Sequence, residues 1–383
     1  MKKALAVLIG ICVLVGSSMG VAFSQESGEE VIKIGCLFAL SGPGSQIGVP
    51  SKYVAAMAKD YLEERGGIGG KQIELVFADT KGEGSVAVRE FERLVQREKV
   101  VAVIGPTRTG TAMALLKSIE KAEIPVIACV GGTPPVVPPR KWLFKTPQMT
   151  VTAVEKICEY LKNKGIDKVA IITAKDAFGE EGRNDLRAVM EREGIEIVAE
   201  ESFGTADIDM TIQLRKLAAT DADAIICWTI GPAGPTVARN IASIGAKQIL
   251  VQCHGLPDPT YLELAGPAAN GTVMPSTKAV VADQLPQDDP QREVVQSFVS
   301  SYEKEYGPVS THSGYAWDAF MILAKAIEKA GTDPEPLRDA IEQIRGYVGV
   351  SGIYNLSEED HCGLGVDSMV MITVENGWWK LVE

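Results

Sequence analysis

Val100 to Thr133 reads VVAVIGPTRTGTAMALLKSIEKAEIPVIACVGGT. An apolar run, Val100 to Ile104, breaks at Gly105-Pro106 into a hydroxyl-rich turn. A stretch of helical period follows from Ala112 to Lys121, then a second apolar run from Pro125 to Val130 that ends in Gly131-Gly132. This is one strand-helix-strand unit. A strand covered on both faces is apolar throughout, and a helical crossover returns the chain parallel to it. Ligands of such sheets sit outside the carboxyl ends of the strands, where both glycine turns must lie. Thr107, Thr109 and Thr111 crowd the start of the helix, whose first N–H groups have no partner within it. Either one threonine is the helix cap and the others are solvated, or the cluster is an anion seat.

The 383 residues are 46% hydrophobic and 23% charged, enough for two packed lobes. At the start, Lys2-Lys3 precede the apolar Ala4 to Val15 and a small-residue Ala22-Phe23-Ser24 motif. The expectation is a secretory signal peptide, residues 1–24, and a mature protein in the periplasm or another extracytoplasmic space. Cys12 follows Ile11 rather than a small residue, so a lipid anchor is the lesser option. Losing Lys2 and Lys3 leaves 36 basic against 50 acidic residues, a net charge of −14. That surface repels nucleic acid and anionic lipid. Cys36, Cys129, Cys158, Cys227, Cys253 and Cys362 remain, with no metal-binding spacing, and most end apolar runs as small buried residues do. An exported protein can form disulfides, but spacing does not give their connectivity and no pairing is assigned.

Outward from the opening unit, Val31 to Leu40 is a strand that enters the loop Ser41-Gly42-Pro43-Gly44-Ser45-Gln46-Ile47-Gly48. The loop lacks the lysine of a phosphate-binding P-loop. A helix from Val49 to Arg65, a strand from Gln72 to Asp79 and an amphipathic helix from Ser85 to Glu98 complete the first set. After Lys145-Thr146-Pro147 the alternation restarts. Lys168 to Thr173 is a strand, Asp176 to Gly179 a turn, Gly182 to Glu193 a helix and Glu196 to Glu200 a strand. Ala224 to Trp228, a turn from Thr229 to Gly234, a helix to Gly245 and the strand Gln248 to Cys253 follow. Three helices, Glu293 to Tyr306, Ser313 to Ala330 and Glu335 to Ile344, then a hairpin turning at Asn376-Gly377, end the chain.

The ordered series SGPGSQIG, ERGGIGGKQIELVFADT, VIGPTRTGTA, IPVIA, FKTP, KVAII with DAFG, and SEEDHCGL covers essentially the whole mature chain. It resembles the extracytoplasmic solute-binding proteins of branched-chain amino acid ABC importers. The resemblance implies an α/β fold of two doubly wound Rossmann-like lobes, joined by three crossovers, with a ligand in the interlobe cleft. Residues 31–146 and 276–349 are expected in one lobe, 147–275 and 350–383 in the other, with crossovers near Thr146, Pro275 and Gly349. It further implies an ABC permease as membrane partner and no cofactor, and a monomer is expected.

In the resembled family a hydroxyl and backbone N–H groups of the Gly-Pro loop hold a ligand carboxylate, and Thr109 matches that hydroxyl, with Thr107 and Arg108 beside it. Val130, Gly131 and Gly132 stand at the next contact loop, where backbone donors survive without a hydroxyl. Ser41 and Gln46 of the first loop, Thr229, Ile230 and Gly231, and Tyr315 complete the candidate set. Where relatives hold the ligand ammonium with a glutamate, this chain has His254, and a tyrosine of their motif is Phe178. A neutral imidazole cannot balance a buried ammonium. The expected ligand is therefore a small carboxylate with an apolar body, of aromatic or branched 2-oxo acid type. The alternative is a neutral amino acid, with Asp258 as the compensating carboxylate. Trp317 and Asp318 are expected as core and helix-cap residues. No G-x-S-x-G elbow or H-E-x-x-H occurs, and His254, His312 and His361 are irregularly spaced, so an enzyme and a metal site are not expected. A sensory binding protein without transport would share every one of these features.

Overall fold

The computed structural model describes residues 31–42 and 44–382, so the expected signal peptide lies outside the described residues. In chain order, β1 (Val31–Phe38), α1 (Ser45–Glu63), β2 (Gln72–Asp79), α2 (Gly84–Arg93), β3 (Ala102–Ile104), α3 (Thr109–Ala122), β4 (Val126–Ala128) and β5 (Leu143–Lys145) build the first lobe. The second follows with α4 (Thr150–Asn163), β6 (Lys168–Ala174), α5 (Ala177–Glu193), β7 (Glu196–Phe203), α6 (Thr211–Ala218) and β8 (Ala224–Trp228). It continues through α7 (Ala233–Ile244), β9 (Ile249–Gln252), α8 (Pro259–Ala265) and β10 (Val273–Ser276). Then come α9 (Arg292–Tyr306), α10 (Thr311–Ala330), α11 (Pro334–Glu342), the small hairpin β11 (Tyr347–Val348) and β12 (Ile353–Tyr354), and finally β13 (Val370–Glu375) and β14 (Trp378–Leu381).

The first sheet has the order β2-β1-β3-β4-β5, every pair parallel. Successive side chains of a strand face opposite sides, and the packing follows this. Ile32, Ile34, Cys36 and Phe38 of β1 pack with α1 and α10, whereas Leu37 joins α2 and α3 on the other face. The second sheet has the order β14-β13-β10-β9-β8-β6-β7. Its strands β6 to β10 pair in parallel, and β13 with β14 adds an antiparallel hairpin along β10.

Helices α1 and α5 depart most from the sequence pattern, both beginning earlier than it indicates. Helix α1 starts at Ser45 rather than Val49, directly after Gly44, whose φ of 100° is open to glycine. Helix α5 starts at Ala177 rather than Gly182, because Asp176 is its N-cap: the carboxylate accepts from the Gly179 N–H at 2.8 Å. The supposed turn Asp176-Ala177-Phe178-Gly179 is thus a cap and a first helical turn. At the centre of the opening unit, Gly105 has φ of 104°, and a Cβ there would lie 2.1 Å from the Leu37 carbonyl oxygen. Only glycine fits.

The third crossover departs from expectation. Gly349 is not a crossover but the turn of the β11–β12 hairpin, its N–H donating to the Gly352 carbonyl at 2.8 Å. Val350, Tyr354, Leu356, Cys362 and Leu364 then pack in the core of the first lobe, and the chain reaches the second core only at Met369. What holds this segment back is Asp318. It is not a helix cap but a buried side chain inside α10, accepting from the N–H groups of Val350 and Ser351 at 2.8 Å each and from the Tyr354 hydroxyl at 3.0 Å. Beside it, Gln148 donates from Nε2 to the Ser351 carbonyl at 2.7 Å and to Ser368 Oγ at 3.1 Å, and accepts from the Tyr315 hydroxyl at 3.2 Å. Trp317, as expected, lies in the first core against Tyr61 and Phe298.

Removal of one partner leaves buried donors unsatisfied, at a cost of about 1–3 kcal/mol each. Asp318→Ala should therefore lower the unfolding free energy by roughly 3 kcal/mol in urea titration. A loss below about 0.5 kcal/mol, the scale of an inconsequential surface change, would show that this carboxylate does not pin the crossover.

Candidate functional site

A cavity of about 100 Å³ lies between the lobes. Its walls come from the segments that leave β3 and β4 on one side and β6, β8 and β9 on the other, closed by the start of α10. This is the carboxyl edge of both sheets, where crossover geometry leaves room for a ligand. Of the candidate residues, Thr107, Arg108, Thr109, Gly131, Phe178, Ile230, His254 and Tyr315 line it.

One end of the cavity is built to attract an anion. Helix α3 begins at Thr109 with no side-chain cap. The N–H groups of Thr109, Gly110 and Thr111 find no acceptor among the described residues, and the first satisfied donor is Ala112, bonded to the Arg108 carbonyl at 3.0 Å. Partial positive charge from aligned peptide dipoles concentrates there. None of the threonines serves as the cap. Thr107 Oγ1 accepts from the Ala39 N–H at 3.1 Å and Thr109 Oγ1 from the Gly132 N–H at 3.2 Å, which leaves each hydroxyl proton free to donate. Thr111 donates instead to the Arg108 carbonyl at 2.7 Å and is spent on the helix turn.

Behind this end lies a cation that sequence reasoning missed. Lys145 is 1% exposed, and its Nζ donates to the carbonyls of Gly131, Gly132 and Gln148 at 2.9, 2.9 and 3.1 Å. Burial pushes its pKa down. No carboxylate lies within ion-pair distance of it among the described residues. Its charge therefore spreads into the Gly131-Gly132 loop and toward His254, whose protonation it disfavours.

The opposite wall is apolar with an imidazole set in it. Phe178 and Trp228 flank His254, with ring centroids 5.7 and 5.6 Å away. A Cβ on Gly131 would lie 2.8 Å from His254 Nε2, so the absent side chain is what admits the ring. His254 is 2% exposed and neither ring nitrogen has a partner. His312, from the first turn of α10, joins it with Nε2 likewise unpartnered. The sequence held no clue to His312 beyond its proximity to Tyr315, one helical turn on.

Other candidates stand elsewhere. Ser41 is held by Asp79, with Oγ donating at 2.6 Å. Gln46 and Gly231 meet each other across the lobes, since a Cβ on Gly231 would lie 2.9 Å from Gln46 Nε2, and both line a separate recess with Asp258. Val130 packs in the core of the first lobe, Gly132 sits one layer back with its N–H on Thr109, and the Thr229 hydroxyl donates to the adjacent Ile230 carbonyl at 3.4 Å. Asp258 is the N-cap of α8, accepting from Tyr261 N–H at 3.0 Å, and not a counterion in the cavity. The carboxylate that does line the cavity is Asp176, committed to capping α5 and 3.5 Å from Arg108 Nη2 across the cleft. Arg108 is therefore an interlobe contact. No grouping of three metal-ligating side chains occurs among the described residues.

Burial, reinforced by the charges of Lys145 and His312, holds the His254 imidazole down at about 3, against 6.5 in the open chain. Because the folded value is the lower one, the unfolded chain takes up the proton first, and stability falls as pH drops from about 6.5 toward 3. Against a His254→Leu variant, which lacks this proton, wild-type stability should decline by about 1.4 kcal/mol per pH unit across that window. Urea midpoints of the two proteins at several pH values measure it. A difference that does not change with pH would mean that the imidazole is not desolvated.

A family model described as periplasmic binding protein matches residues 31–377. Over 303 residues the chain is 24% identical to Leu/Ile/Val-binding protein homolog 3 of Brucella melitensis, covering 79% of this chain and 80% of that one. It is 23% identical over 322 residues to the leucine-, isoleucine-, valine-, threonine- and alanine-binding protein of Pseudomonas aeruginosa, covering 83% and 84% respectively. Among solved structures, an extracellular ligand-binding receptor from Rhodopseudomonas palustris HaA2 superposes with a TM-score of 0.85 at 26% identity, over 92% of this chain and 100% of that one. Sequence, lobes and cleft agree: the chain belongs to the periplasmic binding protein family.

Proposed function

We propose that this protein is the extracytoplasmic receptor of an ABC-type importer and that its lobes close on a small carboxylate with an apolar body, of aromatic or branched 2-oxo acid type. The uncapped start of α3 carries the reading. Three N–H groups without an acceptor, the free protons of Thr107 and Thr109, and the nearby Lys145 charge together offer a carboxylate what water would otherwise provide. Phe178 and Ile230 cover the apolar body. A cavity of about 150 Å³ lined by apolar side chains accepts benzene, and the cavity here, about 100 Å³, is smaller, which limits the ligand to a compact body.

An α-ammonium finds little at the far wall. His254 is neutral, and the Lys145 charge that lowers its pKa acts equally against a ligand cation. Ligand contacts from both lobes favour the closed form, in which Arg108 meets Asp176 and Glu181 accepts from the Thr133 N–H. A membrane permease then recognises that form. A neutral amino acid is the second reading, favoured by the names of the relatives and by Asp176 at the cavity wall.

Thermal-shift titration of ligand-stripped protein with matched pairs tests the choice: leucine against 4-methyl-2-oxopentanoate, and phenylalanine against 3-phenylpropionate and benzoate. Ligand at one hundred times its dissociation constant stabilises by about 2.7 kcal/mol. Stabilisation by the amine-free acids alone is expected, and stabilisation by the amino acids alone would overturn the proposal. For the acid that binds best, Thr109→Ala should weaken affinity at least tenfold, the cost of about 1.4 kcal/mol for a charge-assisted bond, while Thr109→Ser retains most of it. Unchanged affinity in Thr109→Ala would remove the anion seat.

A further inference from the structure

A second cavity of about 610 Å³ lies on the first lobe, between α1, α9, α10 and β11, and shares no lining residue with the cleft cavity. Its floor is apolar. Trp317 of α10 meets Tyr61 of α1 and Phe298 of α9 at ring-centroid distances of 5.1 and 5.4 Å, and Met321 follows one turn along α10. Tyr61 is 38% exposed, so part of this floor faces water.

The rim is acidic. Asp60 and Glu64 of α1, Glu293 and Glu305 of α9 and Glu328 of α10 are exposed around it, and among its lining residues only Lys325 is cationic. The whole chain has 50 acidic to 38 basic residues, so five carboxylates to one lysine is a local concentration of charge. Arg65 lies 4.0 Å from Glu64, whereas Asp60, Glu293, Glu305 and Glu328 have no ion-pair partner among the described residues. Two of the chain's own cations rest on lining rings, Arg65 over Tyr61 at 3.6 Å and Lys325 over Tyr347 at 5.7 Å from the centroids. Aromatic faces and carboxylates both draw positive charge. An apolar patch with a polar rim marks an interaction surface, and this rim calls for a cationic partner.

The shape of the groove narrows the choice. Lining residues recur every three or four positions, Met57, Asp60, Tyr61 and Glu64 on α1 and Glu293, Ser297, Ser301 and Glu305 on α9, so one face of each helix borders it. At about 1.5 Å per residue, it runs about 18 Å along α9 and, from Trp317 to Glu328, about 16 Å along α10. A helix of about three turns covers that length. A compact cation meets one or two of the carboxylates and leaves the apolar floor bare. A second copy of this chain in a two-fold dimer sets the same acidic rim against this one.

We propose that this groove docks a cationic amphipathic helix of a partner protein. Apolar side chains at i, i+4 and i+7 of that helix lie on Tyr61, Phe298, Trp317 and Met321, and its lysines or arginines meet the five carboxylates. Every element of the groove packs against the core of the first lobe, so the docking stands apart from whatever the cleft holds.

Calorimetric titration of the full mature chain tests this with a peptide of about 14 residues that has leucine at helical spacing and lysine and alanine between. One-to-one binding at micromolar concentration in about 0.15 M salt is expected. Glu293→Lys combined with Glu305→Lys should weaken it about tenfold or more, because each reversal turns an attraction into a repulsion. Glu191→Lys combined with Glu263→Lys, the same change of charge at exposed positions of the second lobe, should weaken it no more than about twofold, since salt screens charges at that distance. A peptide of the same composition in scrambled order should bind at least about tenfold more weakly, having no apolar face. Equal weakening by the two double variants, or equal binding of the scrambled peptide, would reduce the effect to net charge and overturn the proposal. Absence of binding at millimolar peptide overturns it as well. Displacement of the peptide by equimolar spermine would assign the rim to a small polyamine. A dimer of the peptide-free chain that Glu293→Lys dissociates, seen by sedimentation, would assign the groove to a second copy. Either result overturns the partner helix.

Discussion

A helix that begins inside the protein without a cap is the constraint on which this structure turns. The first donors of α3 are unmatched among the described residues, and those of Thr109 and Thr111 belong to buried residues. Such donors demand an acceptor. Everything near them is arranged to keep them available: Gly105 turns where only glycine can, Thr107 and Thr109 are oriented by backbone N–H groups, and the Gly131-Gly132 loop is held from behind by Lys145. The result is a positive pole at one lobe's edge.

The two lobes divide the remaining work. The first supplies the pole; the second supplies Phe178, Ile230 and His254, and the start of α10 brings His312 and Tyr315 between them. Contacts across the cleft, Arg108 with Asp176 and the Thr133 N–H with Glu181, come from the same segments that wall the cavity. Under the proposed function, occupation and closure would be coupled through these same segments. At the base, Asp318 and Gln148 tie the crossing strands to α10, so the lobes share a firm anchorage while the cleft edge remains the place where they meet.

Polar side chains near the cleft sort by whether a local partner claims them. Ser41 and Asp258 look equally suited to a ligand in sequence, yet one is bound by Asp79 and the other caps α8. Thr111 is likewise absorbed by its own helix turn. His254 has no such neighbour: its ring packs between Phe178 and Trp228 with neither nitrogen bonded.

The alternation of apolar runs with amphipathic segments determined by itself that the chain forms parallel sheets in two sets, because strand and helix periods are local properties of side-chain spacing. The same local logic identified the Thr107–Thr111 turn and Gly131 as strand ends, the family resemblance added Phe178, Ile230, His254 and Tyr315, and these line the cavity. Tertiary structure alone decided that the segment after Gly349 stays with the first lobe, because the acceptor that holds it, Asp318, lies far away in sequence. It alone brought Lys145 beneath the loop and His312 beside His254, and took Ser41, Gln46 and Asp258 out of the site. A side chain's residue type and spacing say what it can bond to; only the folded chain decides which partner reaches it first.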